Sequence, residues 1–475
     1  MTLQTSNEEP IYYRDASALA ALIRTKEISP VEVMKAHLNR MEEVNPAINA
    51  IVTINNSALA AAKEAEHAVM RGDTLGVLHG VPFTVKDSID TAHVLTQRGS
   101  PIFKGRIPDH DATGVARMKA AGGILLAKTN LPEFSYWIES DNLLTGKTSN
   151  PWDVTRTSGG SSGGESAAIA AGMSPIGLGT DLAISVRGPA AQTGIVSLKA
   201  THGRIPMTGI WPRAPRRFWH IGPMARSIRD LALAFSQLAG LDGFDSFSTS
   251  AAARQNSIGA LPERSLRIGW MTGPGFGPVA GEVVATVKAA ADALKGIGLL
   301  VEQVSIPALE RDFALDVFNR LHVMEMKPAF RAATEGRSVD EMYTMAKTML
   351  SLPDTSVKDY IEAEQAAERI RDGYAAYFEK YDALITHVLP VPAQKHGVEE
   401  FVINGQKVDA TYLQGATVPL NVTGLPGISM RFGTSREGLP INVQIVGNWF
   451  AESTILHIAT LLESVSTVSG LHPAL

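Results

Sequence analysis

The chain has 475 residues, 45% of them apolar, which is enough to bury a large core and too many for wholesale disorder. Its 43 basic and 48 acidic residues leave a formal charge of −5, so there is no electrostatic reason to expect nucleic acid or an anionic lipid surface as a partner. Cysteine is absent, which excludes disulfides, thiol nucleophiles and thiolate metal sites and is in keeping with a cytoplasmic protein.

Residues 1–10 have neither a basic region nor an apolar run, so no signal peptide is expected, and no apolar stretch approaches bilayer-spanning length. Ser29-Pro-Val-Glu32 reads as a capping box with proline at the first helical position. Val31, Met34, Leu38 and Met41 follow at helical spacing, and Asn45-Pro46 is expected to end the helix. The alanine-rich segment 56–71 is helix-prone. Residues 80–85 read as a short buried strand that delivers Lys86, and a helix over 113–121 leads to a strand over 123–127. A glycine- and serine-rich block, 157–165, opens a helix over 165–172, and a further helix covers 226–238. Strands over 266–271 and 299–304 flank a helix over 281–294. Residues from about 310 to 381 carry more charge on a helical pattern and read as a mostly helical excursion. Segments 383–386 and 442–446 then return as buried strands. No flexible linker or repeat interrupts this alternation, so residues 1–475 are expected to form a single layered α/β domain.

The chemistry concentrates in three places. The block Thr157-Ser-Gly-Gly-Ser-Ser-Gly-Gly-Glu165 runs directly into apolar Ala167–Ala171, which a linker seldom does. A second block, Gly179-Thr-Asp-Leu-Ala-Ile-Ser-Val-Arg187, contains Ser185, and Val85-Lys86-Asp87 lies upstream in an apolar setting. Two serines and a lysine can perform acyl transfer without histidine: a hydroxyl is a weak nucleophile until a base takes its proton, and burial turns lysine into such a base. Gly159-Gly-Ser161-Ser-Gly163 also fits the nucleophile elbow of α/β-hydrolases, an esterase-type alternative with Ser161 as nucleophile. Residues 150–156 do not read as the buried strand that motif requires, so this ranks second.

These elements, together with 80–87, 128–134, 198–204, 221–226, 421–426 and 438–444, resemble the amidase signature family from about Ser17 to the C-terminus. The resemblance implies an α/β/α sandwich with a mixed central β-sheet covered by helices on both faces. It implies a triad of Ser185 as nucleophile, Ser161 as a bridging serine held by a cis peptide, and Lys86 as general base. Backbone N–H groups of Leu182, Ala183, Ile184 and Ser185 would form the oxyanion hole, with Ser162, Thr180, Asp181 and Arg187 in support. Phe134, Tyr136 and Trp137 match a pocket-lining region, with core packing as the equal alternative. Trp219 and the loop 211–219 read as a wall at the pocket entrance, with a solvated surface loop as the preferred reading for the loop's arginines.

The chain departs from the family pattern at Ala183-Ile184, where two glycines usually precede the nucleophile, and at Ala191-Gln192-Thr193-Gly194. An isoleucine cannot cheaply adopt glycine-like φ, so either the loop uses ordinary φ values or the oxyanion hole is reshaped. The implied activity is hydrolysis of small amides, anilides or carbamates rather than folded protein, tilted towards hydrophobic or aryl substrates, by a monomer or homodimer. The alternative within the family is the amidase component of a glutamyl-tRNA amidotransferase, which usually keeps both glycines and has Asp at the position aligned with Trp219. A silent scaffold is disfavoured because Lys86, Ser161 and Ser185 are all present. The twelve histidines are scattered, and Asp109-His-Asp111 lacks helical ligand spacing, so neither metal nor cofactor is expected.

Overall fold

Of the 475 residues, the computed structural model describes 9–213, 216–250 and 265–475; most of the segment read above for a signal peptide, and Ala214 and Pro215 of the 211–219 loop, lie outside them. The first long helix, Pro30–Ile48, starts as its sequence dictates. Ser29 Oγ accepts from Glu32 N–H at 3.0 Å, and the Glu32 carboxylate accepts from Ser29 N–H at 2.8 Å. It does not stop at Pro46. The missing proline N–H forfeits one helical bond only, and the break comes at Asn49, whose φ of 50° suits a left-handed cap. Asn45 Oδ1 then accepts from Ala50 and Ile51 N–H, both at 2.8 Å, and turns the chain into the first strand.

That strand, β1 (Ile51–Ile54), belongs to a central sheet with β2 (Pro82–Lys86), β3 (Ile124–Thr129), β4 (Ile176–Asp181), β5 (Val196–Lys199), β6 (His220–Ala225), β7 (Arg267–Trp270), β8 (Leu300–Gln303), β9 (Ala383–His387), β10 (Gly427–Thr434) and β11 (Pro440–Gly447). The order across the sheet is β1-β3-β2-β4-β6-β5-β10-β11-β9-β7-β8. β2 runs parallel to β3 and β4, and β7 runs parallel to β8 and β9, while the remaining neighbours are antiparallel, so the sheet is mixed.

Helices cover both faces, and β4 shows why. Successive side chains point to opposite sides of a strand. Gly177 and Gly179 face the helix Gly163–Ala170, so closely that a Cβ would strike Glu165 at the first and Ser162 at the second. Leu178, between them, packs beside Gly114 of the helix Thr113–Ala120 and Leu238 of the helix Ile228–Leu238 on the other face. The result is an α/β/α sandwich. Between β8 and β9 the chain is helical, through Pro307–Arg311, Ala314–Thr334, Thr344–Ser351 and Val357–Phe378. The two longest of these pack on each other and on the short helix Val418–Thr423, over the edge of the site described next.

Candidate active site

Lys86 ends β2 and is wholly buried. Its Nζ lies 2.6 Å from Ser161 Oγ and 2.8 Å from Thr180 Oγ1. Burial is the dominant influence on this amine and drives its pKa well below the usual lysine range, against weaker upward pulls from Asp181 and Glu165. No carboxylate among the described residues comes within ion-pair distance of it. A neutral amine in this position has one lone pair to accept the Ser161 proton and hydrogens to spare for Thr180.

Ser161 follows a cis peptide bond from Gly160 and stands just ahead of the helix Gly163–Ala170. Its carbonyl accepts from Ser140 Oγ at 3.3 Å, and Ser140 Oγ accepts in turn from Gly163 N–H at 2.9 Å. The neighbouring Ser162 ties this turn to the end of β4: Ser162 Oγ and Thr180 N are 3.3 Å apart. Ser162 N–H also donates to Ser185 O at 3.2 Å, which binds the two serine segments directly together.

Leu182 to Ser185 form the loop between β4 and the helix Arg187–Thr193. Among the described residues none of the N–H groups of Leu182, Ala183, Ile184 and Ser185 donates to a protein acceptor, so these donors remain available to an anion. Ala183 and Ile184 both stay outside the left-handed region, which settles the choice posed by the missing glycines: the loop runs on ordinary φ values, and side chains cost it no backbone strain. A fully buried Arg187 braces it. The guanidinium donates to Asp181 Oδ1 and Oδ2 at 2.9 and 3.1 Å, to Ala183 O at 3.0 Å, to Asn421 Oδ1 at 2.6 Å and to Gln444 Oε1 at 2.9 Å. Burial works to protonate Asp181, but Arg187 and Asn421 outweigh it and hold the carboxyl below its ordinary range. Sequence reasoning misses Asn421 and Gln444 as brace residues; both lie in family-like stretches, but nothing local there marks a partner for Arg187.

Ser185 opens on a cavity of about 390 Å³, lined by Leu182, Ala183, Ile184 and Ser185 on one side and by Ser135 to Ile138 on another. Ser161 is completely buried whereas Ser185 keeps 6% of its surface, so of the two serines only Ser185 meets the cavity. The hairpin strand Asp153–Thr157 precedes Ser161, but it pairs with Ser149–Asn150, bridges to Lys395 and lies outside the central sheet, unlike the strand of a nucleophile elbow. The far wall comes from Phe318, Asn319, His322 and Val323 of the helix Ala314–Thr334 and from Thr348, Met349 and Leu352. Among the described residues, no Asp, Glu, Lys or Arg lines the cavity. Its polar lining includes a hydrogen-bonded pair, Tyr136 and His322. His322 Nδ1–H donates to Phe318 O at 2.9 Å, so Nε2 is left to accept from the Tyr136 hydroxyl. Burial keeps that imidazole neutral, lowering its pKa to about 4.

Two expected pocket residues lie elsewhere. Phe134 turns into an aromatic cluster with Phe103, Trp211 and Phe330 behind the cavity wall. Trp219 is in the core, its indole N–H directed at Met326 Sδ 3.5 Å away. Both rings are large enough to be used for packing, and only Tyr136 and Trp137 of the aromatic run reach the cavity. The described residues of the 211–219 loop do not line it either: Trp211 joins the Phe134 cluster, and Arg217 pairs with Glu325 and Glu364 at 2.7 and 2.6 Å. Gln192, at the second departure from the family pattern, donates to Gln394 Oε1 at 2.6 Å beneath Gly159. Asp111 is occupied by Lys119 at 2.8 Å and by Ala92 N–H at 2.9 Å.

A family model described as Amidase matches residues 32–456. A glutamyl-tRNA(Gln) amidotransferase subunit from Symbiobacterium thermophilum is 34% identical, over 97% of this chain and 98% of that protein. Among solved structures, 6-aminohexanoate cyclic dimer hydrolase in complex with its substrate superposes with a TM-score of 0.87 at 30% identity, covering 98% of this chain and 99% of that one. A bacterial aryl acylamidase of the amidase signature family gives 0.88 at 26% identity, with 96% and 97% covered.

Proposed function

The chain belongs to the amidase signature family, and from that premise we propose that it is a serine amidohydrolase that works without partner subunits on small, neutral, hydrophobic amides, anilides or carbamates. The observation that carries this reading is a buried amine 2.6 Å from Ser161, directly behind the loop whose Ser185 opens on an apolar cavity. Lys86 takes the Ser161 proton as Ser161 takes that of Ser185, and Ser185 Oγ attacks the substrate carbonyl. The oxyanion that results is received by the free N–H groups of residues 182–185. Collapse breaks the C–N bond, and Ser161 returns the proton to the departing nitrogen, which leaves poorly without it. Water then enters by the reverse relay and releases acid from the acyl-Ser185 ester. We take the enzyme to act in the cytoplasm as a monomer or homodimer; no described helix is long and apolar enough to cross a membrane.

A second reading, the amidase component of a glutamyl-tRNA amidotransferase, is favoured by the names of the curated relatives. Against it stands the cavity, whose described residues offer no charged side chain to a zwitterionic amide such as glutamine. Trp219 carries little weight in this choice, since it is a core residue away from the cavity. The two readings are separated by assaying the purified chain alone on anilides, primary amides, aryl esters, aryl carbamates and glutamine, beside Ser185→Ala. Turnover of the hydrophobic compounds, abolished in Ser185→Ala, is expected. Glutamine turnover that appears only with co-purified partner subunits would contradict the proposal.

A further inference from the structure

The relay leaves one requirement open. When Lys86 takes up a proton, a positive charge appears in a fully buried site, and its hydrogen-bond partners are the neutral hydroxyls of Ser161 and Thr180. Two carboxylates act on it electrostatically, Asp181 and Glu165. Asp181 is already committed to Arg187 and Asn421.

Glu165 is different. It is wholly buried, and among the described residues no cation lies within ion-pair distance of it; Lys128, the other lysine that acts on it, donates to Ile89 O, Thr91 and Thr96. Its two oxygens are clasped instead by hydroxyls. Oε1 accepts from Thr84 Oγ1, and Oε2 accepts from Thr129 Oγ1 at 2.8 Å. Both threonines adjoin the base: Thr84 precedes Lys86 by two residues, on the same face of β2, and Thr129 is the register partner of Lys86 on β3. Glu165 itself sits in the first turn of the helix that begins just after Ser161. One carboxylate thus joins the strand that carries the base to the helix that carries the bridging serine.

We propose that Glu165 is a positioning residue for Lys86: a buried carboxylate without an ion-pair partner, which fixes the base against Ser161 and supplies the negative charge against which Lys86 takes up its proton. The proposal rests on the amidohydrolase reading above. A buried carboxylate is itself reluctant to ionise, and burial moves Glu165 up to about 7, with the two threonine hydroxyls drawing it back. The acid limb of the pH profile therefore belongs to the Glu165–Lys86 pair rather than to one residue. Asp181 faces Lys86 as well, Lys128 faces Glu165, and Asp87 faces Lys128 at 3.8 Å; these stay constant in the variants below.

The test is the titration of Lys86 in protein labelled with ¹³C-lysine, its resonance assigned by its loss in Lys86→Met, together with the pH profile of kcat/KM. In Glu165→Gln the Lys86 midpoint is expected to fall by about one pH unit, and the acid limb of kcat/KM moves down with it. Thr129→Val removes one clasping donor, makes the carboxylate harder to ionise and moves the midpoint in the same direction by less. If the midpoint stays at its parent value in both variants while activity falls, Glu165 is a structural clasp only and the proposal is overturned. Should Glu165→Gln fail to fold, Thr129→Val alone decides. Because the resonance titrates whether or not substrate is turned over, a chain whose turnover survives Ser185→Ala would sink the amidohydrolase reading and still yield the answer on Glu165.

Discussion

At Lys86 burial and nearby anions pull the amine in opposite directions, and burial prevails. The sign of the resulting pH dependence follows. In the proposed mechanism Lys86 acts as the free amine, so kcat/KM is expected to be lost as pH falls through the pKa of the pair, which lies well below that of an ordinary lysine. Lys86→Ala removes the base and should lower kcat/KM by about 10²–10⁴-fold with an unchanged melting curve shape, checked by steady-state kinetics and calorimetry. Arg187 poses the opposite case: its removal leaves Asp181 buried and unpaired. Arg187→Met should cost about 3–5 kcal/mol of stability, read as a lower Tm, along with the activity of a loosened 182–185 loop. Ser161, Ser185 and Arg187 stand out in the sequence within two Gly- and Ser-rich blocks, whereas Lys86 stands out only through its apolar approach and the family resemblance. The partners of Arg187 do not stand out: Asn421 and Gln444 lie more than two hundred positions away, and only the folded sheet brings them close.

At the scale of elements, the sequence reveals helices through caps and periodicity and several buried strands (β2, β3, β9 and β11) through short apolar runs, but it hides β4, β5 and β6. β4 and β6 are wholly buried and interrupted by glycines, so neither shows an apolar run or a clean alternation, and β5 has only four residues, too few for its Val-Ser-Leu-Lys alternation to stand out. The cavity wall is illegible for a related reason. Tyr136 meets His322 from 186 positions away, on a helix whose sequence reads as ordinary amphipathic packing. The sequence leaves the path of the loop bearing Ala183 and Ile184 open, and packing decides it: Ile184 joins a small cluster with Ile138, Ala191, Val388 and Leu413. Ile184→Gly is therefore expected to cost about 2–5 kcal/mol, seen as a lower Tm, and to raise the ratio of kcat/KM for bulky over small acyl groups by opening that side of the cavity.

Over the whole molecule, several buried groups make stability depend on pH in competing directions. His387 is buried beside Phe276, and burial lowers its pKa to about 3. The unfolded chain protonates this residue near pH 6.5 and the folded chain does not, so its contribution is present above 6.5 and is lost as pH falls towards 3. Glu165 and Asp87, raised by burial to about 7 and about 6, act in the other direction over the range above the ordinary carboxylate pKa. A comparison of variants isolates one of these: the stability of His387→Leu relative to the parent should rise by about 1.4 kcal/mol for each pH unit between about 6 and 4, as read from denaturant midpoints. A flat difference would show that His387 is protonated in the fold. The layered α/β class is legible from the alternation of elements alone, whereas the mixed order of the sheet rests on long crossovers that no local pattern records.

The central claim is that Ser185, and not Ser161, carries the acyl group. The most direct measurement is rapid quenching with a p-nitrophenyl ester followed by peptide mass mapping. A single acyl increment on the peptide containing Ser185, absent from Ser185→Ala, is predicted. Acyl mass on Ser161, or an increment that persists in Ser185→Ala, would contradict it.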